Sequence, residues 1–262
     1  LQQQSPPTST GTAPAVRVSH VVKRFGDGPN VLDDVSLDVA PGEFVCLLGA
    51  SGCGKSTLLN LVAGLDLPSS GTVEVATQDR SERAALMFQE PALFPWLTAA
   101  QNVELALRLR GVAKRERRER AAELLGLVRL RDAGDKRVHE LSGGMRQRVA
   151  MARALAQDSS VLLMDEPFAA LDAITRDVLH EELVRLRESQ DLTVLFVTHN
   201  VREAVRLGDR VVLLSSRPGR VAKTYEVACP HPRRIESPEV AGMSVAITDD
   251  LRTEIRRHGA QQ

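Results

Sequence analysis

The segment Gly49-Ala50-Ser51-Gly52-Cys53-Gly54-Lys55-Ser56 constrains this chain more than any other, because it has the spacing G-x-x-x-x-G-K-[ST] of a phosphate-binding loop. That spacing has mechanical meaning only between a strand and a helix. The apolar run Phe44-Val45-Cys46-Leu47-Leu48 precedes it, and Ser56-Thr57-Leu58-Leu59-Asn60-Leu61-Val62 follows with helical character. Glycines let the backbone curl, so that successive N–H groups from Gly49 to Thr57 face the β- and γ-phosphates of a nucleotide. The positive end of the following helix adds its field. Lys55 supplies a point charge, and Ser56 offers its hydroxyl to Mg²⁺, a hard ion that prefers oxygen ligands.

The surrounding pattern fits that reading. Short β-branched runs at 16–22, 31–39, 44–48, 72–75 and 84–88 predict strands. Between 99 and 157 Ala, Leu, Arg and Glu recur at helical spacing with no β-branched run, which predicts a helical insertion. Strand-like runs return at 161–164, 193–197 and 211–214, separated by amphipathic stretches at 175–188 and 200–207. Alternating strand and helix implies a parallel sheet covered on both faces. Residues 1–15 are Gln-, Ser-, Pro- and Thr-rich and predict a disordered tail. After Tyr225, Pro230, Pro232 and Pro238 interrupt the pattern, and a short helix at 248–257 is expected to close the chain.

A second acidic segment completes the phosphate site. Val161-Leu162-Leu163-Met164 reads as a buried strand that ends in Asp165-Glu166, which places two carboxylates where an open α/β sheet holds its ligands. Asp165 is expected to hold Mg²⁺ directly or through water, and Glu166 to polarise the attacking water. Composition narrows the partners. The chain has 34 Lys+Arg against 34 Asp+Glu, which excludes a globally basic nucleic-acid binder, and Phe 6, Tyr 1 and Trp 1 leave few platforms for stacked bases. No apolar run approaches the roughly 18 to 20 residues of a membrane span. The odd, small set Cys46, Cys53 and Cys229 predicts a reducing, cytoplasmic setting rather than a disulfide framework.

Many nucleotide enzymes share these two elements. Leu141-Ser142-Gly143-Gly144-Met145-Arg146-Gln147 decides among them, because here the chain resembles the ATP-binding subunits of ABC transporters, whose signature is LSGGQ; Met145 stands in place of the Gln. Ser142, Gly143 and Gly144 open a helix and form a second anion nest, which makes sense if it completes the site of another copy. The resemblance runs from about Val16 to Glu226. It implies an α/β fold with a P-loop core, namely a parallel sheet with helices plus an N-terminal antiparallel β region, and an inserted helical subdomain. The ATPase domain is expected over 16–228, with its catalytic lobe at 16–89 and 158–228, its helical lobe at 90–157 and a C-terminal extension at 229–262.

The resemblance also implies roles. Phe25 takes the position that stacks on adenine, and Gln89, in Met87-Phe88-Gln89-Glu90-Pro91, the glutamine that senses Mg²⁺ and water and joins the lobes. Asp172, in Ala170-Leu171-Asp172, matches a loop that crosses the dimer interface, and His199, in Val197-Thr198-His199-Asn200, the γ-phosphate contact. Each also admits a plain reading: Phe25 as core, Gln89 as a surface amide, Asp172 as a helix cap and His199 as a turn residue. Together they imply ATP and Mg²⁺ as cofactors and hydrolysis in a head-to-tail dimer with a second copy or a paralogous subunit. Transmembrane permease subunits, an extracytoplasmic solute-binding protein acting through them, and a position at the cytoplasmic membrane face are implied as well.

Pro91-Ala92-Leu93-Phe94-Pro95-Trp96-Leu97-Thr98 is either a permease docking loop or packing for the helical lobe. With Ser216-Arg217-Pro218-Gly219-Arg220 and the proline-rich end, it is most similar to the nitrate, sulfonate and taurine importer group. An exporter cassette or a non-transport ABC ATPase stays open. A guanine-nucleotide enzyme does not fit, since no Asn-Lys-x-Asp occurs. The basic run 114–120 is expected to be a solvated helix face, and Cys53, near a helix N-terminus, is expected to be a reactive thiol.

Overall fold

The computed structural model describes residues 13–76 and 84–259, with side chains described to residue 257. Most of the expected tail lies outside these residues. Ala15, however, is buried and pairs its backbone with Val39 and Ala76.

Two sheets organise the chain. Strand β1 (Val16–Arg24) pairs antiparallel with β2 (Asn30–Val39) and with β4 (Ser70–Val75). The larger sheet has the order β5-β6-β7-β3-β8-β9. Its members are β3 (Phe44–Leu48), β5 (Ala85–Met87), β6 (Val161–Asp165), β7 (Thr193–Val197), β8 (Arg210–Leu214) and β9 (Val221–Glu226). All neighbours pair in parallel except β8 and β9. The expected parallel sheet is therefore correct for five strands. The polar, partly exposed β9 closes one edge, where its sequence carries no apolar run to announce it.

Strand alternation builds the two cores. Phe44, Cys46 and Leu48 of β3, with Met164 of β6 and Phe196 of β7, face one cluster; Val45 and Leu47, with Leu163 and Leu195, face the other. The second cluster is closed by the small antiparallel sheet and helix α1 (Lys55–Val62). The first is closed by α2 (Ala99–Leu109), α3 (Lys114–Leu127) and α4 (Gly143–Leu155), which form the helical lobe, and by α5 (Ala173–Gln190) and α6 (Val201–Leu207). Every buried strand residue so placed removes roughly 1.5–3 kcal/mol worth of apolar surface from water.

The C-terminal part differs from expectation. Helix α7 runs from Pro238 to Gly259, ten residues earlier than the predicted start, because a proline in the first turn sacrifices no helical hydrogen bond and favours initiation. It packs on α6, and its Val240 and Ile247 are buried in the larger core. Buried Arg233 fastens the segment leading to it, donating to the carbonyls of Cys229 (2.6 Å), Val205 (3.0 Å) and Val227 (3.1 Å) as well as Gly208. The extension is thus part of the catalytic lobe's packing. The basic face of α3 is solvated as expected, with i,i+4 pairs Arg115–Glu119 and Arg120–Glu116. Among the described residues no helix is long and apolar enough to cross a membrane.

Candidate active site

The site forms where β3 turns into α1. Gly54 takes φ 101°, a left-handed conformation open to glycine, and starts α1 with no side chain over its first N–H groups. A Cβ there would stand 2.6 Å from Leu32 Cδ2, so space as well as φ requires glycine. Lys55 is buried and its ammonium donates to the carbonyls of Gly49 at 2.9 Å and Ala50 at 3.0 Å, spanning the loop it serves. The loop and α1 thus set a cation and free backbone donors around one hollow.

Four residues from other elements meet them. A cavity of about 430 Å³ is lined by the loop residues Gly49, Ser51, Gly52, Gly54, Lys55, Ser56 and Thr57, and by Gln89, Asp165, Glu166 and His199. Residues brought from three separate segments, after β5, at the end of β6 and after β7, thus face the phosphate loop. Asp165 ends β6 and is hydrogen-bonded by the Ser56 hydroxyl. Burial holds its carboxyl above the usual carboxylate range; the Ser56 bond and Lys55 pull it down, and the charge of Glu166 pushes it up. Glu166 adopts φ 46°, a conformation that costs a non-glycine residue of the order of 1–2 kcal/mol. Its N–H donates to Val197 O at 2.9 Å, which holds that turn against β7. His199 follows β7, is largely exposed, and places Nδ1 3.2 Å from Glu166 Oε2.

The remaining candidates are distributed as follows. Phe25, at 55% exposure, is no core residue; it stands free at the end of β1 with Lys23 Nζ 4.7 Å from its ring, and it does not line the cavity. Ala50 and Cys53 belong to the loop without lining the hollow. Ser142 caps α4, accepting from Met145 N–H at 3.2 Å, and the Met145 side chain packs on the larger core. Gly144 lies against the 170–171 loop, where a Cβ would come within 3.1 Å of Leu171 Cδ2 and 3.2 Å of Ala170 O. Asp172 caps α5 by accepting from Thr175 N–H at 2.9 Å. Ser142, Gly143, Gly144 and Asp172 do not line the cavity of their own chain.

Cys53 corrects an expectation. Its side chain is fully buried, and burial pushes its thiol up despite Lys55 Nζ 3.8 Å away. Proximity to a helix N-terminus does not make it reactive, because the sulfur points into the protein rather than at the anion site.

Several residues support the site in roles that the sequence did not assign them. Arg217 Nε reaches Gly52 O at 3.4 Å, and Gly219 fits so closely under the loop that a Cβ would collide with Cys53 O. Gln147, buried on α4, donates to Gln89 O at 3.3 Å and ties the helical lobe to the cavity wall. Buried Asn102 accepts from Phe94 N–H at 2.9 Å and donates to Thr98 O at 2.9 Å, while Arg153 donates to Pro91 O and Ala92 O. These bonds fix the 91–98 loop with Trp96 at 66% exposure, so Trp96 is not core. A signal existed for Asn102, a polar residue on the apolar face formed by Ala99, Val103 and Ala106.

A phosphate loop on a parallel sheet, two carboxylates at the end of β6, and an inserted helical lobe whose helix α4 is capped by Ser142 define an ATPase of the cassette type. The chain belongs to the ABC transporter family, whose model matches residues 32–169. It is 52% identical to the taurine import ATP-binding protein of Mesorhizobium japonicum over 77% of this chain and 79% of that protein. To an aliphatic sulfonates import ATP-binding protein of the same organism it is 47% identical, over 88% and 86%. A dimeric ATP-binding cassette solved in a post-hydrolysis state with ADP and Pi superposes with a TM-score of 0.75 at 35% identity, covering 82% of this chain and all of that one. The fold and the ATP-hydrolysing class read from the sequence are therefore correct.

Proposed function

We propose that this chain powers import of a small organic sulfonate such as taurine, or of a related small anion, as the ATP-hydrolysing subunit of a permease complex at the cytoplasmic membrane face. The solute class is supported by the similarity to taurine and aliphatic sulfonate import proteins. The catalytic reading is carried by one observation, the convergence of Gln89, Asp165, Glu166 and His199 on the Lys55–Ser56 end of the phosphate loop.

In this reading the N–H groups of the loop and Lys55 bind the β- and γ-phosphates, and Phe25 lies exposed at the end of β1 to take the adenine face. The oxygen donors Ser56, Gln89 and Asp165 suit Mg²⁺, and the raised Asp165 carboxyl is the kind of group that a bound cation relieves. Mg²⁺ usually keeps several waters and binds through one or two carboxylates plus substrate phosphates. Such an ion would neutralise charge developing on the phosphate oxygens. Glu166 accepts a proton as water attacks the γ-phosphorus and the bond to the β-phosphate breaks, yielding ADP and phosphate. His199 holds Glu166 and meets the γ-phosphate. Ser142, Gly143 and Gly144, with Asp172 nearby, close over the ATP of a second copy, and hydrolysis removes the phosphate that both surfaces share.

Docking of a permease on the 91–98 loop is tested by Trp96→Ala. ATP hydrolysis by the isolated subunit stays within twofold of the parent, while solute-stimulated hydrolysis in the reconstituted complex is lost. Equal stimulation by a sulfonate in parent and variant contradicts the docking, and absence of stimulation in the parent contradicts the solute class.

A further inference from the structure

Behind His199 lies a buried polar chain that the chemistry above does not use. His180 of α5 and Thr198 are each 2% exposed, and Glu203 of α6 is 5% exposed. His180 Nε2 lies 2.9 Å from Glu203 Oε1, and the Thr198 hydroxyl donates to Glu203 Oε2. With a proton on His180 Nε2, Glu203 accepts at both oxygens, one from the imidazole and one from the Thr198 hydroxyl. Thr198 Oγ1 in turn accepts from Asn200 N–H at 3.0 Å, and Thr198 N–H donates to Leu47 O at 3.3 Å. The residue between Thr198 and Asn200 is His199. His180 also presents its ring edgewise to Phe168, with centroids 4.8 Å apart and planes at 70°. Phe168 is two residues from Glu166, so one imidazole touches the supports of both members of the His199–Glu166 pair.

Stability does not call for such a chain. Well-packed apolar residues in its place would be neutral or stabilising, whereas a half-satisfied cluster is costly. What directed bonds add is a single backbone geometry for the turn that bears His199. His180 Nδ1 is buried with no hydrogen-bond partner among the described residues, so this imidazole gives up one bond to make the other two contacts.

We propose that His180, Glu203 and Thr198 are positioning residues that hold His199 in reach of Glu166 and the γ-phosphate. This rests on the reading of His199 as the γ-phosphate contact. The test is steady-state ATP hydrolysis by the full chain bearing Thr198→Val, Thr198→Ser, His180→Leu, His180→Gln, His199→Ala, and Thr198→Val combined with His199→Ala. Thr198→Val keeps shape and removes the hydroxyl; kcat falls about tenfold while KM for ATP stays within twofold. Thr198→Ser restores the hydroxyl and the rate, and His180→Gln, which can still donate to Glu203, is faster than His180→Leu. In the His199→Ala background Thr198→Val adds no further loss, because the chain acts through that side chain. Full kcat in Thr198→Val beside a crippled His199→Ala overturns the inference alone. A further tenfold loss in the double variant does the same. Full kcat in His199→Ala overturns the γ-phosphate reading itself.

Discussion

His199 Nδ1 and Glu166 Oε2 lie 3.2 Å apart across the C-terminal ends of neighbouring strands β7 and β6. One residue is largely exposed and the other is held in a left-handed turn, so the pair presents a carboxylate and an imidazole to the same hollow. Glu166→Gln keeps an oxygen toward His199 and keeps the turn, but removes the proton acceptor. Turnover falls by about 10²- to 10⁴-fold while ATP affinity stays within threefold, as measured by single-turnover hydrolysis and equilibrium binding. A variant with more than a tenth of the parental rate assigns the base elsewhere.

Gly219 supports the phosphate loop from below. An added methyl group meets Cys53 O and stands 3.1 Å from Leu32 Cδ2, so Gly219→Ala forces the 52–54 backbone to move. Overpacking of this kind costs about 1–3 kcal/mol. The expected outcome is a Tm lowered by roughly 3–10 °C and KM for ATP raised several-fold. Unchanged Tm and KM would show that the contact yields freely.

Thiol labelling separates the cysteines. Cys46 and Cys53 are buried with thiols pushed up by desolvation, whereas Cys229 is partly exposed. A raised thiol supplies little thiolate until the pH passes its own, higher midpoint. At pH 7.5 native protein therefore reacts quickly at Cys229 only, and Cys53 reacts after unfolding. Rapid modification of Cys53 in the folded protein, located by peptide mass, contradicts the inward orientation of its sulfur.

Much of this site was legible because its chemistry sits in contiguous motifs. The loop 49–56 and the pair Asp165-Glu166 announce themselves through apolar strands that end at fixed points, and β3 and β7 match their predicted bounds. What stayed hidden depends on contacts between distant segments. Gln147 reaches Gln89 across 58 positions, and Arg217 reaches Gly52 across 165, and neither residue carries a local signal of that pairing. The inward turn of Cys53 and the outward turn of Phe25 are likewise decided by tertiary packing, to which a linear pattern is blind. Helix α7 outruns its apolar pattern because Pro238 signals a break in a linear reading, although the same ring that disrupts a helix interior suits its first turn.

The central claim is that ATP joins two copies, with Ser142, Gly143 and Gly144, which do not line the cavity of their own chain, closing over the ATP of the other. It is tested most directly by the molar mass of Glu166→Gln, measured by light scattering during size exclusion with and without saturating MgATP. The monomer mass is 28.6 kDa. The account predicts a doubled mass with MgATP, reversal to the single mass without it, and no doubling when Ser142→Arg is added. A Glu166→Gln protein that binds ATP yet keeps its single mass at saturation contradicts it.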